Sequence, residues 1–196
     1  MSRMLLPAER NRKLIHIASG AIALGYALTS RDTTLAVLAI LLALMILAEA
    51  ARLGTPWGAR TYNRFFGLMT RPEESRALTG ASFLLAGAVL TVVVFPAVIA
   101  IPALLFMSWG DAAAALVGQK YGRLKWAQGK TVEGSLACLV VCLLIVVPFE
   151  LSLAVKFSGA VAATVAELLP WGFLNDNLAV PLFSGGVMLS MMATGL

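Results

Sequence analysis

The sequence predicts an all-α, polytopic membrane protein of about seven transmembrane helices, with an interfacial amphipathic helix at one membrane face. Three observations carry this expectation. Of the 196 residues, 60% are hydrophobic and only 13% charged, with a mean hydropathy of +0.88. A soluble domain needs roughly a quarter of its residues charged to keep its surface wet. The apolar residues are gathered in runs near the ~20 residues that span a hydrocarbon core about 30 Å thick. The basic residues lie between these runs, concentrated in alternate connections.

Taken in order, spans are expected near 14–30, 33–51, 78–95, 97–118, 133–150, 152–169 and 177–195. Each must be helix, because lipid offers no partner for an unpaired backbone group. The first run follows a basic segment, and no small-residue cleavage site leads into a soluble domain, so it reads as a retained span. Pro96 marks the turn between the third and fourth spans, and Pro148 and Pro170 lie near helix ends. Pro102 and Pro181 are expected in first turns, where a missing N–H costs little. The length suits a single domain over 1–196.

Basic residues fix the expected orientation. Arg3, Arg10, Arg12 and Lys13 precede span one; Arg52, Arg60, Arg64, Arg71 and Arg76 follow span two; Lys120, Arg123, Lys125 and Lys130 follow span four. In a seven-span chain these segments share one face, and only Arg31 and Lys156 of the 15 basic residues fall on the other. The positive-inside rule then places the N-terminus in the cytoplasm and the C-terminus outside. With no organelle-targeting stretch visible, a prokaryotic plasma membrane is the expected location. The same segregation explains the net charge of +5 through topology, so no nucleic-acid partner is inferred. In the second loop, Tyr62, Phe65, Phe66 and Met69 line one helical face, with Arg60, Arg64 and Arg71 opposite. That is the pattern of a helix lying in the headgroup plane. Cys138 and Cys142 have no further soft ligand nearby and read as packing residues.

The acidic residues point to chemistry. Glu49 closes span two, Asp111 lies toward the inner end of span four, Glu133 opens span five, Glu167 closes span six and Asp176-Asn177 opens span seven. With His16, all are expected near the basic face. Carboxylates within spans are costly and are functional candidates by default. Beside cations at headgroup depth, they suit Mg²⁺ and phosphate together, since Mg²⁺ takes one or two protein carboxylates and completes its shell with substrate phosphates. Simpler roles stay open for each. Asp111 suits a cap on a break at Gly110, Glu133 suits the positive end of a helix, and Asn175, Asp176 and Asn177 are all good N-cap types. Gly129-Lys130-Thr131 is not a phosphate-binding loop, because Leu124 stands where the pattern needs glycine and no strand precedes it.

A set of ordered motifs resembles one enzyme family. These are Arg12-Lys13-Leu14-Ile15-His16; Glu74 with Leu78-Thr79-Gly80-Ala81; Gly110-Asp111 with Gly118; Tyr121-Gly122-Arg123; Gly129-Lys130-Thr131-Val132-Glu133-Gly134-Ser135; and Glu167, Pro170, Asp176-Asn177 and Val180-Pro181. Together they resemble the dolichol kinase, phytol kinase and CTP-dependent diacylglycerol kinase family, related to phosphatidate cytidylyltransferases. The resemblance implies a CTP-dependent membrane lipid kinase acting on a lipid alcohol, with Mg²⁺. It puts catalytic weight on Asp111, Glu133 and Lys130. It assigns nucleotide and phosphate contacts to Arg12, Lys13, Gly118, Lys120, Arg123 and Thr131, and metal contacts to Asp111, Glu133 and Asp176. His16, Glu74, Glu167 and Asn177 are further candidates. The chain lacks the paired-aspartate C-terminal signature of phosphatidate cytidylyltransferases, which disfavours nucleotidyl transfer. A small lipid or ion transporter is the non-enzyme alternative. Neither the lipid alcohol nor the oligomeric state is legible.

Overall fold

A computed structural model describes residues 7–67, 70, 72–126, 129–169 and 175–195, with the side chains of 7–12, 72 and 73 excluded. Arg3, Met69, Arg71 and Pro170, and the side chains of Arg10 and Arg12, therefore lie outside the described residues. The described chain is helical, as expected: α1 (Pro7–Ala18), α2 (Gly20–Leu28), α3 (Arg31–Gly54), α4 (Pro56–Phe66), α5 (Gly80–Val94), α6 (Ala97–Leu105), α7 (Asp111–Tyr121), α8 (Val132–Val146), α9 (Leu153–Leu168) and α10 (Asp176–Ala193). A π-helical turn, Phe106–Gly110, joins α6 to α7.

Among the described residues two helices are long and apolar enough to cross a membrane, Arg31–Gly54 and Ala97–Tyr121. They are used in opposite ways. The second is the hub: 72% of its apolar window is buried, and Ile99, Leu104, Phe106 and Met107 are sealed from solvent. Only 17% of the α3 window is buried, and Ile40, Leu44 and Leu47 face outward. A soluble helix turns polar residues outward; an apolar exterior on a helix this long fits lipid, so the chain is a membrane protein. Lys13–Leu28, Gly80–Val94 and Val132–Val146 are shorter apolar helices.

Local chemistry sets the ends. Ser30, Thr55, Thr131, Ser152 and Asn175 each cap the following helix by accepting a backbone N–H bond on the side chain. The expected first span is divided at Ser19, the boundary between α1 and α2. Pro102 and Pro181 sit inside α6 and α10 rather than in their first turns. Proline removes the bond to the carbonyl four residues back, and packed neighbours take up the slack in apolar helices. For Pro181 that carbonyl belongs to Asn177, and it lies against Gly87, where any side chain would collide with it. The helix α4 appears where amphipathicity predicts it, with Trp57, Phe65 and Phe66 exposed.

Arg31 and Lys156, the two basic residues expected on the far face, each bond main-chain carbonyls at a helix end. Arg31 donates to the carbonyls of Val92 and Val93 at the end of α5, and Lys156 donates to the Val147 carbonyl (3.0 Å) after α8. At the opposite end α3 closes with a buried network. The Arg52 guanidinium donates to Glu49 (Nε to Oε2, 2.7 Å) and to the carbonyls of Glu74 (3.0 Å) and Ala77 (2.6 Å), and it lies 5.2 Å from the Tyr62 ring centroid. Glu49 Oε1 accepts from Thr79 N, Thr79 Oγ1 and Ser82 Oγ. This ties the 74–79 connection to α3 and sets where α5 starts. Arg52→Met would leave the Glu49 carboxylate buried without its cation. A loss of about 3–5 kcal/mol is expected, measured as a lowered Tm in detergent with faster proteolysis at the 70–79 connection.

Candidate active site

The expected site residues come from both ends of the sequence. Asp111 begins α7, directly after the π turn, and is mostly buried. Its Oδ2 accepts from Lys13 Nζ (3.1 Å) and lies 3.0 Å from His16 Nε2, both on α1. His16 Nε2 also lies 2.8 Å from the Met107 carbonyl oxygen. Both neighbours are acceptors, so Nε2 carries the proton. The π turn matters here, because its altered ladder lets a main-chain carbonyl meet a side chain from another helix. The contact is reinforced by Ser19 Oγ with Ser108 Oγ (2.8 Å) and by Trp109 Nε1 donating to the Ile17 carbonyl (3.1 Å). The simpler alternative, Asp111 as a cap on a break at Gly110, meets continuous helix through Ala97–Tyr121.

A second cluster forms on Lys130. Its ammonium donates to the Glu167 main-chain carbonyl and lies 3.3 Å from both Glu167 Oε1 and Asp176 Oδ2. Glu167 is 5% exposed, and its Oε2 has no hydrogen-bond partner among the described residues. The π turn that leads into Asp111 packs against α1, α9 and α10, the helices that carry Lys13 and His16, Glu167 and Asp176. Asn177 Nδ2 donates to the Gly80 carbonyl (2.9 Å), and Glu74 Oε1 accepts from Gly80 N (2.9 Å). Asn177 thus links the start of α10 to the start of α5, which Glu74 also holds.

Other predicted residues are engaged in shaping the connection between α7 and α8. Glu133 accepts from the main-chain N–H groups of Arg123 and Leu124 (3.0 and 3.2 Å). Thr131 is buried and caps α8 through Gly134 N (3.1 Å). Lys125 and Thr131 form an isolated antiparallel bridge, closed by Trp126 N donating to the Lys130 carbonyl (2.6 Å). That pairing holds Lys130 toward Glu167. Lys120 and Arg123 are exposed, with the Lys120 ammonium 5.0 Å from the Tyr121 ring centroid. Gly118 lets α7 and α8 touch: a Cβ there would stand 2.8 Å from Thr131 Oγ1. Gly118→Val is expected to cost about 1–3 kcal/mol through this clash. Thermal denaturation checks it, and activity should fall with stability.

Among the described residues no group of three or more His, Cys, Asp or Glu side chains is gathered to hold a metal. Asp111, Glu133 and Asp176 therefore do not form one three-carboxylate cluster. The contacts that sequence reasoning did not find are the Glu49–Arg52 clamp and the serine pair. The clamp's i, i+3 spacing was visible, but Arg52 reads equally well as a topology residue.

The chain is 32% identical over 166 residues to a CTP-dependent diacylglycerol kinase of Schizosaccharomyces pombe, covering 74% of each chain. It is 31% identical to a phytol kinase of Synechocystis, covering 92% of this chain and 78% of that one. The chain belongs to this lipid-kinase family. A probable chloroplastic phytol kinase of Oryza sativa is 28% identical over 206 residues, covering 92% of this chain and 64% of its own. No family model matches the chain, and no solved structure matches it. Membership fits the arrangement described: both clusters contain residues of the family-like motifs, and those motifs meet although they lie 98 and 46 residues apart along the chain.

Proposed function

We infer that the protein is a CTP-dependent kinase that moves the terminal phosphate of the nucleotide onto the hydroxyl of a membrane lipid alcohol, of the diacylglycerol, phytol-like or polyprenol class. One observation carries this reading. Two cation–carboxylate clusters, Lys13/His16/Asp111 and Lys130/Glu167/Asp176, are built on helices packed around one π turn, in a chain of a lipid-kinase family. Phosphoryl transfer asks chiefly for positioning and charge neutralisation, which is what clusters of this kind supply.

In this reading Lys13 and Lys130 neutralise phosphate oxygens, aided by Arg12 and, at the rim, by Lys120 and Arg123. The acceptor oxygen bonds the γ-phosphorus as the bond to the β,γ-bridging oxygen breaks. CDP leaves, and the hydroxyl proton passes to Asp111 through Oδ1, the oxygen that neither Lys13 nor His16 engages. The residues also fit a divalent ion. Glu167 Oε2 is a buried acceptor without a protein donor among the described residues, with Asp176 beside it on the same lysine. Two carboxylates meet the usual protein share of a Mg²⁺ shell. Mg²⁺ held there would supply charge neutralisation at the phosphates. Glu133, bonded to the 123–124 main chain, is a positioning residue for the Lys130 loop. We read the chain as one domain crossing the membrane seven times, with the basic end cytoplasmic by the positive-inside rule.

Product analysis tests the reaction class. Purified protein is incubated with Mg²⁺, CTP or ATP, and a panel of lipid alcohols. The kinase reading expects CDP and a phosphorylated lipid; release of pyrophosphate assigns a nucleotidyltransferase instead. A preparation that consumes no nucleotide would move the protein to the transporter class.

A further inference from the structure

The kinase reading leaves the acceptor's hydrocarbon chain without a place, and the bundle contains a cleft suited to it. Helix α2 packs mainly on α6, whereas α3 packs mainly on α4 and α5. Between α2 and α3 opens a cavity of about 310 Å³, lined among others by Ile22, Gly25 and Tyr26 on one wall and by Val37 and Leu41 on the other. It extends along α2 from Ala21 to Thr29, about 12 Å at the helical rise.

Its two ends differ. The near end begins one residue after Gly20, whose backbone is pressed against the Trp109 ring, and two after Ser19, which bonds Ser108. That places it beside the α1–π-turn contact that also holds Asp111. The far end carries threonines whose hydroxyls already have partners: Thr29 and Thr34 lie within hydrogen-bond reach of each other and of the Gly25 and Ser30 carbonyls, and Thr33 bonds Ser30 Oγ. No headgroup is called for there. The walls offer apolar surface to an apolar occupant, as small-molecule sites of this size do.

The geometry points to the α2–α3 cleft as the binding slot for the alkyl or isoprenoid chain of the acceptor, its hydroxyl directed toward Asp111. The inference rests on the kinase reading and adds the site of chain recognition. Gly25 makes it testable, because a Cβ added there would meet nothing within 4 Å. Gly25→Leu therefore projects into the cleft from a position where the added Cβ meets no neighbour.

The test compares dioleoylglycerol and phytol with their short-chain counterparts, dibutyrylglycerol and prenol, in Gly25→Leu, in Val37→Trp on the facing wall, and in Leu47→Trp on the same helix outside the cleft. Both cleft variants should raise KM for the long-chain acceptors by about tenfold, the value of one to two displaced methylene contacts. KM for short-chain acceptors and for CTP should stay put, and Leu47→Trp should match wild type. Unchanged long-chain KM in both cleft variants overturns the slot. So does an equal loss for long and short acceptors. Wild-type protein that phosphorylates no alcohol refutes the kinase reading itself, and this is seen before any variant is compared.

Discussion

Asp111→Asn is expected to reduce phosphoryl transfer by about a thousandfold or more, the scale of losing a positioned acid–base group together with its charge. The amide keeps the size of the side chain, so the variant should insert and purify like wild type. What changes is the charge that Lys13 and His16 converge upon, both within 3.1 Å of one oxygen. Lys13→Met should weaken nucleotide binding as well as turnover, whereas Asp111→Asn should act mainly on turnover. Wild-type turnover in the Asn variant would remove Asp111 from the mechanism.

Lys130→Met carries the second large effect, and it acts on two properties at once. The ammonium serves Glu167 and Asp176 together. Its loss should lower turnover by at least about a hundredfold. It should also lower stability by about 1–3 kcal/mol, because Glu167 is left buried and short of a donor. The double variant Lys130→Met/Glu167→Gln separates the two. It removes the uncompensated charge, so Tm should recover while activity stays low. Recovery of activity in the double variant would make Lys130 a structural counter-ion only.

The helices were legible because a bilayer leaves the backbone few choices. The spans expected near 33–51 and 152–169 differ from Arg31–Gly54 and Leu153–Leu168 by a few residues, at ends where a serine cap decides the start. The count of crossings is less legible, since among the described residues only Arg31–Gly54 and Ala97–Tyr121 are both long and apolar enough to span. The break at Ser19 and the π turn at Phe106–Gly110 leave no periodic trace, because each depends on a contact between distant segments. The candidate residues could be named from sequence, but not their partners. Lys13 with Asp111 is a pairing that only three-dimensional packing can choose, and Glu133 and Thr131 look as catalytic in sequence as Lys130 does. Their hydrogen bonds to nearby main chain turn them toward holding the loop.

Whether the two clusters serve a single nucleotide is best measured as a coupling energy. CTP binding in the presence of Mg²⁺ would be titrated calorimetrically for wild type, Lys13→Met, Lys130→Met and the double variant. If both ammonium groups grip one triphosphate, the losses should be non-additive by at least about 0.5 kcal/mol. Strictly additive losses, or binding that depends on only one of the two lysines, would contradict the shared site.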